Sequence, residues 1–270
     1  VVLGPYNSSG LSDTPTRRAI FHCRPTSQDE ERPCAEEIVT RLAAKAFRGF
    51  PSSSASETLM DLYDQGADKG GFEEGVRTAL QGILAMPDFV FRFEDAPAGL
   101  GPGDTYRIPD NALASRLSFF LWGSPPDDEL LEVARSGRLQ EADVLEAQAR
   151  RMLEDPRAFA LASRFAAQWL RLEDLDKGHP DRLLYPDFYE QVADDMRMET
   201  EMFFHSLIRD DQSILDLFSA DYTFVNERLA RHYGFDGIVG ENFRRVTYPD
   251  RTRRGLLGHG SILTLTSHAN

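Results

Sequence analysis

Pro186-Asp187-Phe188-Tyr189-Glu190-Gln191-Val192-Ala193-Asp194-Asp195-Met196-Arg197-Met198-Glu199-Thr200-Glu201-Met202-Phe203-Phe204-His205-Ser206-Leu207-Ile208-Arg209 is the stretch on which the fold turns. At about 100° per residue, Phe188, Val192, Met196, Phe203 and Leu207 fall within one arc about 100° wide. The spacing predicts a helix over 186–209 with that arc against a core. Glu199 falls inside the arc, between Val192 and Met196 in angle, whereas Glu201 and His205 project to the far side. An ionised carboxylate on a core-facing stripe is costly unless it is paired or hydrogen-bonded. Arg116 and Arg164 are the expected partners, since each flanks an apolar helix stripe. Two meanings follow. Glu199 is either a carboxylate with a perturbed pKa facing an internal cleft, able to act as acid, base or ligand, or half of a buried Glu–Arg pair that fixes how helices dock. The second is the commoner use of such a group.

Helical patterns continue on both sides. Downstream, helices fit 213–218 and 224–233, the latter capped by Thr223, with Asn226-Glu227 in its first turn, and closed by Gly234. Val225, Leu229 and His232 share a face, which makes His232 a core-edge histidine or a further catalytic candidate. Residues 234–249 read as loop with a short strand at 243–248, and a last helix starts near Arg253. Upstream, Asp110 caps a helix through Leu121, Ser124-Pro125 opens another that ends before Gly137, and further helices fit 140–154 and 156–172. Ala114-Ser115-Arg116-Leu117 precedes Trp122 much as Ala162-Ser163-Arg164-Phe165 precedes Trp169, an echo too loose to be a repeat. Core packing, with each arginine snorkelling outward, accounts for it. Asp174 to Gly178 lacks the bidentate glutamate of a calcium loop and reads as a turn.

A smaller helical unit precedes these. Ile38, Leu42 and Ala46 beside Val39, Ala43 and Phe47 make one stripe; Ser54-Ala55-Ser56-Glu57 is a capping box for a second helix stopping near Gly66; a third runs from Phe72 to Leu84. Phe89, Phe91 and Phe93 alternate as in an extended segment, and Glu94 to Thr105 is a Gly/Pro linker. The expected layout is 1–33, linker and end of an upstream β domain; 34–94, small helical domain; 105–235, large helical domain; and 248–270, the truncated start of a third. The fold class is all-α with an irregular N-terminal segment.

Composition bounds the function. The 270 residues are 41% hydrophobic and 27% charged, which excludes a disordered or collagen-like chain. No run approaches about 18 apolar residues, so no membrane span is expected. A formal net charge of -14 disfavours nucleic acid as a partner. The chain opens at Val1 and stops at Asn270 just after an apolar helical run, so it reads as an internal piece of a longer polypeptide. The two cysteines, Cys23 and Cys34, rule out a four-cysteine zinc site and covalent haem attachment through Cys-x-x-Cys-His. A disulfide, a metal pair with His22, and two unrelated thiols remain open. A short polar loop with a cysteine at each end favours the disulfide, and with it an oxidising compartment. Glu201 and His205, four apart, would suit a metal, but a solvated helix face is the commoner meaning. No metal site is expected.

Several segments together resemble a known family. They are Gly4-Pro5-Tyr6-Asn7 with Asp13-Thr14-Pro15, Ile20-Phe21-His22-Cys23-Arg24-Pro25, and Ala85-Met86-Pro87-Asp88-Phe89. Leu117-Ser118-Phe119-Phe120-Leu121-Trp122-Gly123-Ser124-Pro125-Pro126-Asp127, Phe165-Ala166-Ala167-Gln168-Trp169-Leu170, Asn226-Glu227-Arg228-Leu229-Ala230-Arg231-His232-Tyr233-Gly234 and Arg254-Gly255-Leu256-Leu257 continue the match. The chain is similar to the helical region of uncharacterised exported multidomain proteins of planctomycetes and myxobacteria, which combine a cytochrome c domain with consecutive helical domains of unknown function. The resemblance implies export, a haem c domain outside this chain, no cofactor within it, and the flanking cytochrome and β domains as partners. It supplies no catalytic residues. The expected role is support of a redox process, with a basic electron carrier docking on the acidic surface. The alternatives are a scaffold joining cytochrome and substrate-binding modules, and a hydrolase using Glu199.

Overall fold

Asp29, Glu30 and Glu31 crowd the first turn of a helix, where carboxylates suit the macrodipole, and Glu30 accepts both the backbone N–H and the hydroxyl of Thr26 at 2.8 and 2.9 Å. This anchoring starts the helix at Gln28, before Pro33, so the second half of the polar loop expected between the cysteines is helical. The computed structural model describes residues 14–49, 51–92, 97–178, 183–250 and 252–267. The expected strand at 1–3, Phe93 and the start of the linker at 94–96 lie outside them.

The chain divides into two compact units, residues 1–115 with 127–136, and residues 116–126 with 137–270. The first contains α1 (Pro15–Ile20), α2 (Gln28–Ala46), α3 (Ser53–Gly70), α4 (Phe72–Ala85) and the short α5 (Pro87–Val90). Thr14 caps α1, and Ser52 caps α3 by accepting the Ala55 N–H, two residues before the expected cap. Gly66 does not stop α3 but lies buried within it. Phe89 belongs to a helical turn rather than an extended segment. Ala35, Ile38, Val39 and Ala43 of α2 close over Leu59 and Tyr63 of α3 and Val76, Ala79 and Ile83 of α4. Each buried Ile, Val or Leu side chain among them contributes roughly 1.5–3 kcal/mol. Arg48 follows α2 in a left-handed turn (φ +61°), and its guanidinium bonds the carbonyls of Asp88 and Phe91 at 2.6 and 2.8 Å, tying α5 down.

The helix α6 (Asp110–Leu121) begins in the first unit and ends in the second, and α7 (Asp128–Arg135), capped by Asp127, lies in the first. The second unit continues with α8 (Ala142–Glu154), a 3-10 turn at Pro156–Ala158, a π-helical stretch at Leu161–Ala166 and α9 (Ala167–Trp169). The helix expected over 156–172 is thus one helical run over 156–169 that changes pitch from 3-10 through α to π and back to α, with Arg171 left-handed just beyond it (φ +56°). Trp122 is buried, donates its indole N–H to the Met152 carbonyl at 2.8 Å and lies 3.5 Å under the Arg157 guanidinium. Asp174 to Lys177 lies in a 3-10 helix rather than a turn.

At the centre of this unit runs α10 (Glu190–Arg209), with Val192, Met196, Phe203 and Leu207 buried as the wheel requires. Then come α11 (Asp216–Ser219), β1 (Tyr222–Val225), α12 (Glu227–Tyr233), β2 (Arg244–Thr247), a 3-10 turn at Leu256–Gly258 and α13 (Gly260–Thr266). The strands pair antiparallel with Thr223 opposite Val246. The second of them is where a strand was expected. The first replaces the expected start of the following helix, whose cap is Asn226, accepting the Leu229 N–H at 2.9 Å. The protein is mainly α-helical, and no helix among the described residues is long and apolar enough to cross a membrane.

Candidate functional site

Glu199 is 0% exposed, as its place on the α10 wheel requires. Its carboxyl accepts the Thr223 hydroxyl from β1 at 2.5 Å and the Tyr233 hydroxyl from the end of α12 at 2.6 Å. The Tyr233 oxygen in turn accepts the backbone N–H of Gly260 at 2.7 Å, at the start of α13. A Cβ on residue 260 would stand 2.6 Å from the Tyr233 oxygen and 2.8 Å from Met196 Cε, so only glycine lets that N–H approach. Arg253 spreads its guanidinium over the Tyr233 ring at 4.3 Å and donates to the Gly258 carbonyl at 2.8 Å. Three stretches of the chain, α10, β1 with α12, and residues 253–260, therefore converge on one carboxyl group.

Burial pushes the Glu199 pKa up to about 7, against the opposing pull of the Thr223 and Tyr233 hydrogen bonds and the Arg253 charge. Burial first, and the neighbouring carboxylate second, raise the Tyr233 phenol well above its ordinary range. The carboxyl is thus poised to hold or lose a proton near neutrality while its oxygens are occupied by two fixed donors.

Beside it lies a second buried polar group. His259, 0% exposed, shares a hydrogen bond with the Thr200 hydroxyl through Nδ1 at 3.0 Å, and Thr200 also meets the Ser261 hydroxyl at 2.7 Å. The His259 ring packs edge-on against Phe203 at 4.8 Å. Burial, then the Arg253 charge, depress its pKa to about 3, so it is neutral in the fold.

The expected partners of Glu199 are elsewhere, and this corrects the sequence reading. Arg164 is exposed and donates to the Gly123 carbonyl at 2.8 Å; Arg116 is exposed on α6. Neither meets Glu199, because flanking an apolar stripe fixes a helix face and not a tertiary neighbour. A half-buried ion pair of α10 is formed one turn earlier, where buried Asp195 accepts the partly exposed Arg228 through Nη2 at 3.1 Å, and Asn226 Nδ2 at 2.8 Å. Glu201 is buried, not solvated, and burial raises its pKa, while His205 packs edge-on against Phe159 at 5.3 Å. His232 is exposed and lines a cavity of about 470 Å³ with Tyr185, Phe188, Met196 and Leu263; Glu199 does not line it.

Cys23 and Cys34 form a disulfide with Cα atoms 5.9 Å apart. His22, Cys23 and Glu37 offer ligand atoms within 4.8 Å of one another, but the Cys23 sulfur is spent in the disulfide and His22 pairs with Glu37 at 3.4 Å. A metal needs the thiolate, so the pairing with His22 is set aside.

Thr223, Tyr233, Arg253 and His259 were missed by sequence reasoning. Thr223 carries the signal of a helix cap, and Tyr233 that of an ordinary last-turn residue before Gly234. The tight Gly258-His259-Gly260 triplet was the one local sign that backbone approaches another group there.

Residues 108–235 match the family model PSD4, a protein of unknown function (DUF1592), and residues 34–94 match PSD5, likewise of unknown function (DUF1595). Glu199, Thr223, Tyr233 and the Asp195–Arg228 pair all fall within the PSD4 segment, whereas Arg253, His259 and Gly260 follow it. The disulfide joins Cys34, the first residue of the PSD5 segment, to Cys23 ahead of it. No curated protein and no solved structure matches the chain.

Proposed function

We propose that this chain is the haem-free scaffold region of an exported, cytochrome c-linked multidomain protein, joining and orienting modules that carry the reaction. The observation that carries this reading is the state of Glu199. The residue best placed by sequence for acid–base work is fully buried, and both carboxyl oxygens are held by donors from β1 and α12. A group so enclosed fixes how segments dock and has no face for a substrate, which weighs against the hydrolase alternative. The Cys23–Cys34 disulfide supports export, since such bonds persist in oxidising compartments. The pairing of PSD4 and PSD5 supports the cytochrome link, as these domains typically accompany cytochrome c-containing proteins.

The test is made on the full natural polypeptide. Cell fractionation should find it outside the cytoplasm, and haem staining after denaturing electrophoresis should be positive while the 270-residue chain stains negative. A cytoplasmic, haem-negative full-length protein overturns the reading. A direct part in electron transfer is the second reading, favoured by the net charge of -14. It expects salt-sensitive binding of a basic soluble cytochrome to this chain, weakening steeply as ionic strength rises.

A further inference from the structure

Four residues of metal-ligating type sit on two neighbouring pieces of the first unit. His22 and Cys23 are consecutive in the stretch before α2, and Cys34 and Glu37 lie three apart on α2, on one helix face. His22 Nε2 stands 3.4 Å from Glu37 Oε2, and one ligand atom each from His22, Cys23 and Glu37 lie within 4.8 Å of one another.

These separations are close to those of a tetrahedral ion. Zinc with nitrogen and oxygen ligands at about 2.0–2.1 Å sets those two atoms about 3.4 Å apart. The His22–Glu37 separation already has that value, which is long for an N–H···O hydrogen bond of about 2.7–3.2 Å. Only the sulfur is out of place. A tetrahedral edge to a zinc-bound sulfur is about 3.6 Å, so Cys23 Sγ has up to roughly 1 Å to travel. Its bond to Cys34 holds it back, and rotation about the Cys23 Cα–Cβ bond supplies the movement once that bond is open.

The donor set selects the ion. A thiolate, an imidazole and a carboxylate suit zinc, whereas calcium and magnesium take oxygen ligands. Thiolate and carboxylate together balance the two charges of the metal. Three protein ligands leave the fourth position to water, and His22 and Glu37 both line a cavity of about 680 Å³ that gives ion and water their way in.

We propose that His22, Cys23 and Glu37 form a zinc site in the dithiol form of the chain, and that the Cys23–Cys34 disulfide closes it. The Cys23 sulfur thus has two exclusive uses. Opening the site takes a dithiol reductant, whose two S–H bonds and the Cys23–Cys34 bond are exchanged for two cysteine thiols and the reductant's own disulfide. Zinc then takes Cys23 as thiolate, and one proton passes to water. A newly made chain whose cysteines are not yet joined is already in the open form.

Cys34→Ser frees Cys23 without a reductant and tests this. Titrated with zinc chloride in a calorimeter, the variant should take up one ion per chain, at least about tenfold more tightly than the oxidised wild type. Adding His22→Ala or Glu37→Gln to it should weaken binding at least about tenfold each. Cobalt(II) in place of zinc should give a thiolate charge-transfer band that Cys23→Ser lacks. Circular dichroism reports whether Cys34→Ser folds; where it does not, wild type reduced with a phosphine and desalted under argon takes its place, with the same expectations. Equal affinity in the oxidised wild type, one zinc shared between two chains, indifference to His22→Ala and Glu37→Gln, or no binding by the open form overturns the proposal. So does a cobalt band retained by Cys23→Ser, because Cys34 would then hold the metal.

Discussion

Tyr233 donates its hydroxyl proton to Glu199 at 2.6 Å while accepting the Gly260 N–H at 2.7 Å, so one phenolic oxygen couples α10 to the segment that opens α13. Removing it leaves two buried groups short of a partner. Tyr233→Phe should lower stability by about 2–4 kcal/mol, since each buried polar group left unsatisfied costs roughly 1–3 kcal/mol. Urea midpoints check this. Combined with Glu199→Gln, the loss should be clearly less than the sum of the two single losses, because both substitutions break the same hydrogen bond.

Glu199 should make stability fall as pH rises. Its folded pKa of about 7 lies above the ordinary 4.5, so the fold binds the extra proton between those values. The contribution is fully present below 4.5 and lost as pH rises through 7, a swing of up to about 3 kcal/mol. The stability of the wild type relative to Glu199→Gln should therefore fall between pH 5 and about 8, as read from the urea midpoints of the two proteins. A variant with the wild-type slope would show that another group carries it.

His259 acts in the opposite sense. Its folded pKa of about 3 lies below the ordinary 6.5, so its contribution is present above 6.5 and lost as pH falls through 3. Between 4.5 and 6.5 the two groups oppose each other, and the wild-type stability should be nearly flat there. In Glu199→Gln the histidine acts alone, so stability should drop as acid is added over the same range. In His259→Gln the drop in acid should be missing.

Reduction of Cys23–Cys34 should loosen the first unit and leave the second unchanged. The two cysteines are 11 residues apart, and closing a loop of that size is worth roughly 2–3 kcal/mol. Hydrogen exchange with and without dithiothreitol checks it: protection should fall in α1 and α2 and persist in α10.

The burial of Glu199 was legible because a wheel angle depends only on spacing along one helix. Its partners were not, because they are set by tertiary packing. Arg116 and Arg164 qualified by lying beside apolar stripes, yet the cation near Glu199 is Arg253, from a stretch whose sequence advertises only a helix start. Local competition produced the other differences. The stretch before Cys34 reads as loop, but Glu30 anchors its turn to Thr26, so the helix starts at Gln28 and runs through Pro33. Thr223 reads as a cap, but its β-branched neighbourhood pairs with Arg244–Thr247, which moves the cap to Asn226. The mainly helical class survived all of this because it rests on many long periodic segments at once.

The span matching PSD4 ends at residue 235, but the hydrogen bonds that enclose Glu199 do not. Arg253 and Gly260 come from later in the chain, and so does the strand paired with Tyr222–Val225. A recombinant piece cut at 235 would uncover a carboxyl built for a dry interior and strip one strand of its mate. Whoever wishes to express this region should carry the coding sequence beyond Thr266, because the smallest cooperative body is larger than its sequence signature.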